Sequence, residues 1–249
     1  MGLVPGILLL PQCHNAHIVP PLVVYETYSS MIRFLPLFMG IVPVIGVAAA
    51  YWLNVQAGVL PSCMPLWDGC VSISATGRYM PGGMPFRAVL LPQAAFLVIL
   101  WWLSIEWLKN VLPTSRHRHA IMISGVVGAL ALIIYATFLG TKQPFYEFMR
   151  HIGIYFYFLG TALSQLLLTI AMPTSRLRTA MLWVIGTPFG LGLVNLAQKL
   201  VLSNPDRIEN SIEWTSAILM QFWFVLLYVA WRKSGLVVAV QTDSLNIRR

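Results

Sequence analysis

The stretch AIMISGVVGALALIIYATFLG, residues 120–140, carries no charged side chain. At about 1.5 Å of rise per residue such a run makes a helix of about 30 Å, the thickness of the hydrocarbon core of a bilayer. Further uncharged or nearly uncharged runs lie at 34–53, 89–105, 152–172, 180–198 and 212–231. The sequence therefore predicts an all-α integral membrane protein, a bundle of six transmembrane helices. Composition agrees: 58% of the residues are hydrophobic and 10% charged, against roughly 45–50% and 25% in soluble domains. This excludes a soluble enzyme, and 249 residues leave no room for a separate aqueous domain beside six spans. The expected organisation is an N-terminal segment, 1–32, with no assigned fold; a membrane domain, 33–233, with its longest loop at 54–87; and a tail, 234–249. The apolar start is too short to span and lacks a basic n-region, and Met31 is an alternative start.

The net charge is +8, but the basic residues are scattered through loops, which points to orientation in a bilayer and not to nucleic acid. With the N-terminus inside, the cytoplasmic face receives Arg33, Lys109, Arg116, Arg118, Arg176, Arg178, Arg232, Lys233, Arg248 and Arg249. The outer face receives Arg78, Arg87, Lys142, Arg150, Lys199 and Arg207. The bias predicts both termini inside. A second observation agrees. Pro113-Thr114-Ser115-Arg116 recurs as Pro173-Thr174-Ser175-Arg176, each copy closing one span and opening the next. Two copies two spans apart face the same side. They suggest that spans two and three repeat as spans four and five, although any tight basic turn selects similar residues. Gly186, Pro188, Gly190, Gly192 and Asn195 weaken the fifth span, which is expected to be covered by its neighbours.

The loop 54–87 lies outside in this topology. Cys63 and Cys70 share it and are expected to pair in an oxidising compartment. If the segment from Ser72 is extended, Ser72, Ser74, Thr76 and Arg78 point to one face, a set of hydroxyls and a guanidinium suited to phosphate or carboxylate; such residues also cap turns in solvated loops. Asp68 and Arg87 stand on the same side. His151 at the outer end of span four heads a stripe with Tyr155, Phe158, Ala162 and Gln165, and Glu213 opens span six. Ionisable groups at span ends reach water at little cost, so His151 and Glu213 are candidates for function and equally for simple helix ends. His14 and His17 suggest a metal site by spacing but have no further ligand nearby except Cys13, and no P-loop or dinucleotide pattern occurs, so neither metal nor cofactor is expected. Most tryptophans, among them Trp101, Trp107, Trp223 and Trp231, lie near span ends, where interfacial belts form.

The order of these features resembles the six-span Frag/DRAM/Sfk family: Ser72-Ile73-Ser74-Ala75 in a long outer loop after span one, a His at the mouth of span four, and Glu213-Trp214 opening the last span. That family includes the N-terminal domain of the yeast cell-wall-biogenesis (CWH-type) protein, the post-GPI-attachment lipid-remodelling factor and the damage-regulated autophagy modulators. The resemblance covers residues 33–233. Cys70-Val71 departs from the Pro or Tyr usual in eukaryotic members, and Thr76-Gly77-Arg78-Tyr79 is similar to bacterial relatives. It implies a lipid-handling protein, with Ser72, Ser74, His151 and Glu213 as the matched positions.

From these readings the expected function is to bind or help remodel or distribute lipid headgroups at the outer membrane face. His151 with Glu213 would form a catalytic pair if chemistry occurs, and Asp68, Ser72, Ser74, Thr76, Arg78 and Arg87 would be substrate contacts. A membrane scaffold using the Gly153, Gly160 and Ser164 face, alone or as a homo-oligomer, is the alternative, and a small-molecule transporter ranks below both. The membrane would be the bacterial inner membrane or the eukaryotic endomembrane system. Single cysteines introduced at positions 115 and 175 are expected to label from the same, cytoplasmic, side of sealed cells; labelling from opposite sides would mean a miscounted span.

Overall fold

A computed structural model describes residues 31–111, 117–140, 143–201 and 206–234. Six helices are long and apolar enough to cross a membrane: α1 (Leu35–Gln56), α4 (Gly83–Val111), α5 (Arg118–Phe138), α6 (Pro144–Ala171), α7 (Arg176–Val201) and α8 (Asp206–Ser234). Two short helices, α2 (Pro65–Asp68) and α3 (Ile73–Arg78), lie in the outer loop. The chain is an integral membrane protein, a six-helix bundle. Residues 1–30 of the N-terminal segment and the tail from residue 235 onward lie outside the described residues, as does the first Pro-Thr-Ser-Arg copy. The second copy behaves as a helix start: Ser175 Oγ accepts the backbone N–H of Arg178 at 3.1 Å, satisfying one of the donors a helix N-terminus leaves unpaired.

Between apolar helices in lipid there is little hydrophobic drive, so close backbone approach and interhelical hydrogen bonds decide which surfaces meet. The α5–α6 contact is built that way. A Cβ at Gly160 would lie 2.6 Å from Ser124 O and 2.8 Å from Gly128 N, and one at Gly153 would lie 2.6 Å from Tyr135 N. Ser124 and Ser164 share a hydrogen bond of 2.6 Å, and Ser164 donates to Ile121 O. The Gly153, Gly160 and Ser164 face is therefore spent inside the bundle and offers no surface to a partner.

The helices form a ring in the order α7, α8, α1, α4, α5, α6. First and last spans, α1 and α8, pack together, while α6 and α7 meet only sparsely. The two paired turns thus join unlike hairpins: α4 packs broadly on α5, whereas α6 leans on α5 and α7 on α8. The expectation that neighbours cover the fifth span is not met. Trp183 and Leu193 of α7 are largely exposed to the lipid side, and Gly186, Gly190 and Gly192 face open space. A helix satisfies its own backbone in lipid, so such exposure is tolerated.

The tryptophans also depart from the belt expectation. Trp101, Trp107, Trp223 and Trp231 are buried, with ring centroids of Trp101 and Trp223 6.2 Å apart and of Trp107 and Trp231 6.5 Å apart. They fill the α4–α8 interface, and Trp223 Nε1 donates to Thr169 Oγ1 on α6 at 2.9 Å. Trp52, Trp102 and Trp183 do stand exposed on the outer surface of the bundle.

Replacing Gly160 by Val is expected to cost about 1–3 kcal/mol, because the added atoms meet backbone that cannot give way. Gly186→Ala, in open space, should leave stability unchanged or slightly raised. Thermal unfolding of both variants in detergent checks the contrast.

Candidate functional site

The helices that begin on the side of the 54–87 loop, α4, α6 and α8, start at Gly83, Pro144 and Asp206, well before the apolar runs that predict them. These polar first turns carry Arg87, Arg150, His151, Glu209 and Glu213 on ordered helix. Between them the outer loop is fixed from both sides. Asn54, fully buried at the end of α1, donates to Thr76 O at 2.9 Å and accepts from Gly82 N at 3.0 Å. From α8, Asn210 donates to Gly69 O and Trp214 Nε1 to Val71 O, each at 2.8 Å. Cys63 and Cys70 are disulfide-bonded, with Cα atoms 6.7 Å apart. Asp68 lies within 4.8 Å of both sulfurs, but sulfurs bonded to each other are not thiolate ligands for a metal.

The segment from Ser72 is helical, which corrects the extended reading. Ser72 is the N-cap, its Oγ accepting Ala75 N–H at 3.2 Å, and Thr76 Oγ1 donates back to Ile73 O at 2.7 Å. On a helix Ser74 and Arg78 share a face, and Thr76 points the other way. Thr76 is accordingly buried against the bundle, away from any ligand. The carboxylate of Glu213 is set against the backbone amides of Ile73 and Ser74, where an anion complements the helix start.

A cavity of about 380 Å³ opens at this end between α3, α6, α7 and α8. Ser72, Ser74, Arg78, His151 and Glu213, all singled out from the sequence, line it. So do Arg150, Glu209, Asn210, Ser216 and Asn195, which sequence reasoning missed. Ser74 Oγ and Tyr135 OH are 3.0 Å apart, and Arg78, Arg150 and Glu213 all lie close enough to act electrostatically on that phenol. Arg150 is buried, held by Glu147 at 3.2 Å and by His151 Nε2 at 3.3 Å. The Arg78 Nε is buried with no hydrogen-bond partner among the described residues.

Beneath this polar chamber is a second, apolar cavity of about 60 Å³ that shares Ile154 and Phe158 with it. Pro43, Val47, Leu90, Leu132, Ala217 and Met220 form its walls. Val44 and Ile218, also lining it, are 39% and 37% exposed on the lipid side of the bundle. Below both cavities the α6–α8 seam closes through Gln165 Nε2, which donates to Met220 O at 3.0 Å, and through the Trp223–Thr169 bond.

Two expected contacts lie elsewhere. Arg87 donates to the carbonyls of Ala136, Gly83 and Leu139, closing the end of α5. Asp68 is exposed and accepts from Met64 N at 2.8 Å, bracing α2. His151 and Glu213 line one cavity, yet among the described residues no hydrogen bond or ion pair joins them. No hydrogen bond ties His151 to Ser72 or Ser74 either. Comparison with protein-family models, curated proteins and solved structures finds no match to the chain.

Arg87→Ala is expected to destabilise by about 2–3 kcal/mol, since it removes charge-assisted bonds and strands carbonyls at the end of α5. Once folded, the variant should keep the cavity, so a drop in unfolding temperature without loss of ligand binding is the signature of this role.

Proposed function

We propose that this membrane protein binds an amphiphilic lipid at the outer face of the bilayer, headgroup in the polar chamber and first methylenes in the apolar cavity, and assists its remodelling or distribution. The observation that carries this reading is the junction of the two cavities at Ile154 and Phe158. A polar chamber alone suits any small solute, and an apolar one alone any hydrophobe. A polar chamber set directly over an apolar one suits a molecule with both parts.

The arrangement favours binding over covalent chemistry. An activated nucleophile needs a base within hydrogen-bond reach, but the His151 imidazole is engaged by Arg150 and Ser74 by Tyr135. The proposal extends to kinship: the chain is a divergent member of the Frag/DRAM/Sfk family. In support, the four positions matched to that family, Ser72, Ser74, His151 and Glu213, line one chamber although they come from three separate elements. The scaffold alternative loses its basis because Gly153, Gly160 and Ser164 are packed on α5.

Lipid extracted from detergent-purified protein is expected to be enriched in a defined species relative to the bulk membrane, as read by mass spectrometry. Ile154→Trp, which fills the junction, should abolish the enrichment in a protein that still elutes as a folded species. Bulk composition in the wild type, or undiminished enrichment in the variant, would overturn the reading.

A further inference from the structure

The chemical class of the headgroup follows from the hydrogen-bond donors that the chamber leaves unspent; this inference rests on the lipid-binding reading above. Arg78, on α3, lines the chamber with its Nε buried and without a partner, and its guanidinium enters no hydrogen bond or salt bridge among the described residues. Arg150, on α6, is buried and makes both its contacts, to Glu147 and to His151, through the single nitrogen Nη2. A guanidinium has several N–H donors and no acceptor, so most of this group is unspent, and His151 Nε2 is the acceptor of the bond between them. The imidazole proton then sits on Nδ1, a further donor on a side chain that lines the chamber. Ser74 Oγ and Tyr135 OH share one hydrogen bond. Two hydroxyls bring two protons and their mutual bond uses one, so one O–H remains. Arg78 and Arg150 both lie within electrostatic reach of this pair.

The acids around the same space do not consume these donors. Glu213 is turned to the backbone amides of Ile73 and Ser74, and Glu209 has an interaction of its own. Glu147, which holds Arg150, has a side chain 56% exposed, and an ion pair open to water on one side is weak. A carboxylate, with two oxygens in one plane, is saturated by a single guanidinium fork. Two guanidinium groups from different helices, a hydroxyl and an imidazole N–H call for an acceptor whose oxygens spread in three dimensions. We infer that the chamber takes the phosphate of a phospholipid, held by Arg78, Arg150, Ser74 and His151, in preference to a neutral sugar headgroup. A sugar would leave the Arg78 charge without an anion; a phosphate supplies one and accepts from all four side chains.

The test uses the full-length protein in detergent, offered an equimolar mixture of phosphatidylglycerol and galactosyldiacylglycerol with the same acyl chains, with retained lipid read by native mass spectrometry. Phosphatidylglycerol should be retained about tenfold over the glycolipid, the scale of one good charge-assisted contact. Arg78→Gln should remove most of that preference while leaving retention of the glycolipid unchanged, a split that a loss of folding would not give. Ser74→Ala, which keeps both charges, should lower retention of phosphatidylglycerol by about threefold. Equal retention of the two lipids by the wild type, abolished for both by Ile154→Trp, would overturn the phosphate assignment and leave lipid binding standing. A preference for phosphatidylglycerol untouched by Arg78→Gln would overturn the assignment too, since it would come from charge elsewhere on the protein. Retention indifferent to Ile154→Trp would overturn the lipid-binding reading and this inference with it. A parallel arm adds glycerol 3-phosphate, with glycerol as its control. If only the phosphate ester displaces phosphatidylglycerol, the phosphate assignment holds and the tail is not required; if neither does and the preference stands, the ligand is the intact phospholipid.

Discussion

The backbone of α6 rests on the backbone of α5, with Gly128 facing Gly160 and Tyr135 facing Gly153. Nothing larger than hydrogen fits at these contacts, so α6 cannot be drawn across the bundle without losing them. Its other flank consequently stands away from α8, and the gap between the two helices is the feature on which the cavities depend. In the inner half the gap is bridged by Gln165, Thr169 and Trp223. Toward the outer face the Gln221–Tyr157 bond, at 3.4 Å, spans it near mid-depth, and beyond that space remains. A packing commitment on one side of a helix thus leaves a cavity on the other.

The outer loop completes that space by becoming structured itself. Asn54 ties it to α1 and Gly82, Asn210 and Trp214 tie it to α8, and Glu213 faces the open amides of α3. Each tie satisfies a backbone group that would otherwise lose water at the membrane surface, where an unmade hydrogen bond is costly. Arg87 does the same for the end of α5. The polar residues near this face therefore divide by what they meet. Asn54 and Arg87 spend themselves on backbone and build the rim, whereas Ser72, Asn210 and Glu213 brace backbone and line the chamber as well.

The six spans were legible because uncharged runs of this length have few alternatives, and the convergence of Ser72, Ser74, Arg78, His151 and Glu213 was legible because span ends on one side share a depth. Their local geometry was not. Alternating hydroxyls from Ser72 to Thr76 imitate a strand period, and the helix is settled by the Ser72 cap and by a carboxylate far along the chain. Nor does composition say which glycines touch a neighbour: Gly153 and Gly160 are in contact, whereas Gly186 and Gly190 are not. Tyr135 was missed because it sits in the least interrupted apolar run, where a phenol reads as bulk. Arg150 was passed over as a charge that merely sets orientation. The interior tryptophans were misplaced because distance from a span end along the sequence says nothing about which way the indole turns.

The contact between the first and last spans has a consequence for biosynthesis. A ribosome delivers α1 to the membrane long before α8, so α1 spends most of translation without the surface it finally packs on. Until α8 is released, α6 has no opposite wall, α3 lacks the carboxylate at its start, and the outer loop is tethered only through Asn54. A chain arrested after α7 would hold five inserted helices and no chamber. The cavities are therefore completed only when α8 arrives: before that step α6 and the outer loop enclose no chamber at all.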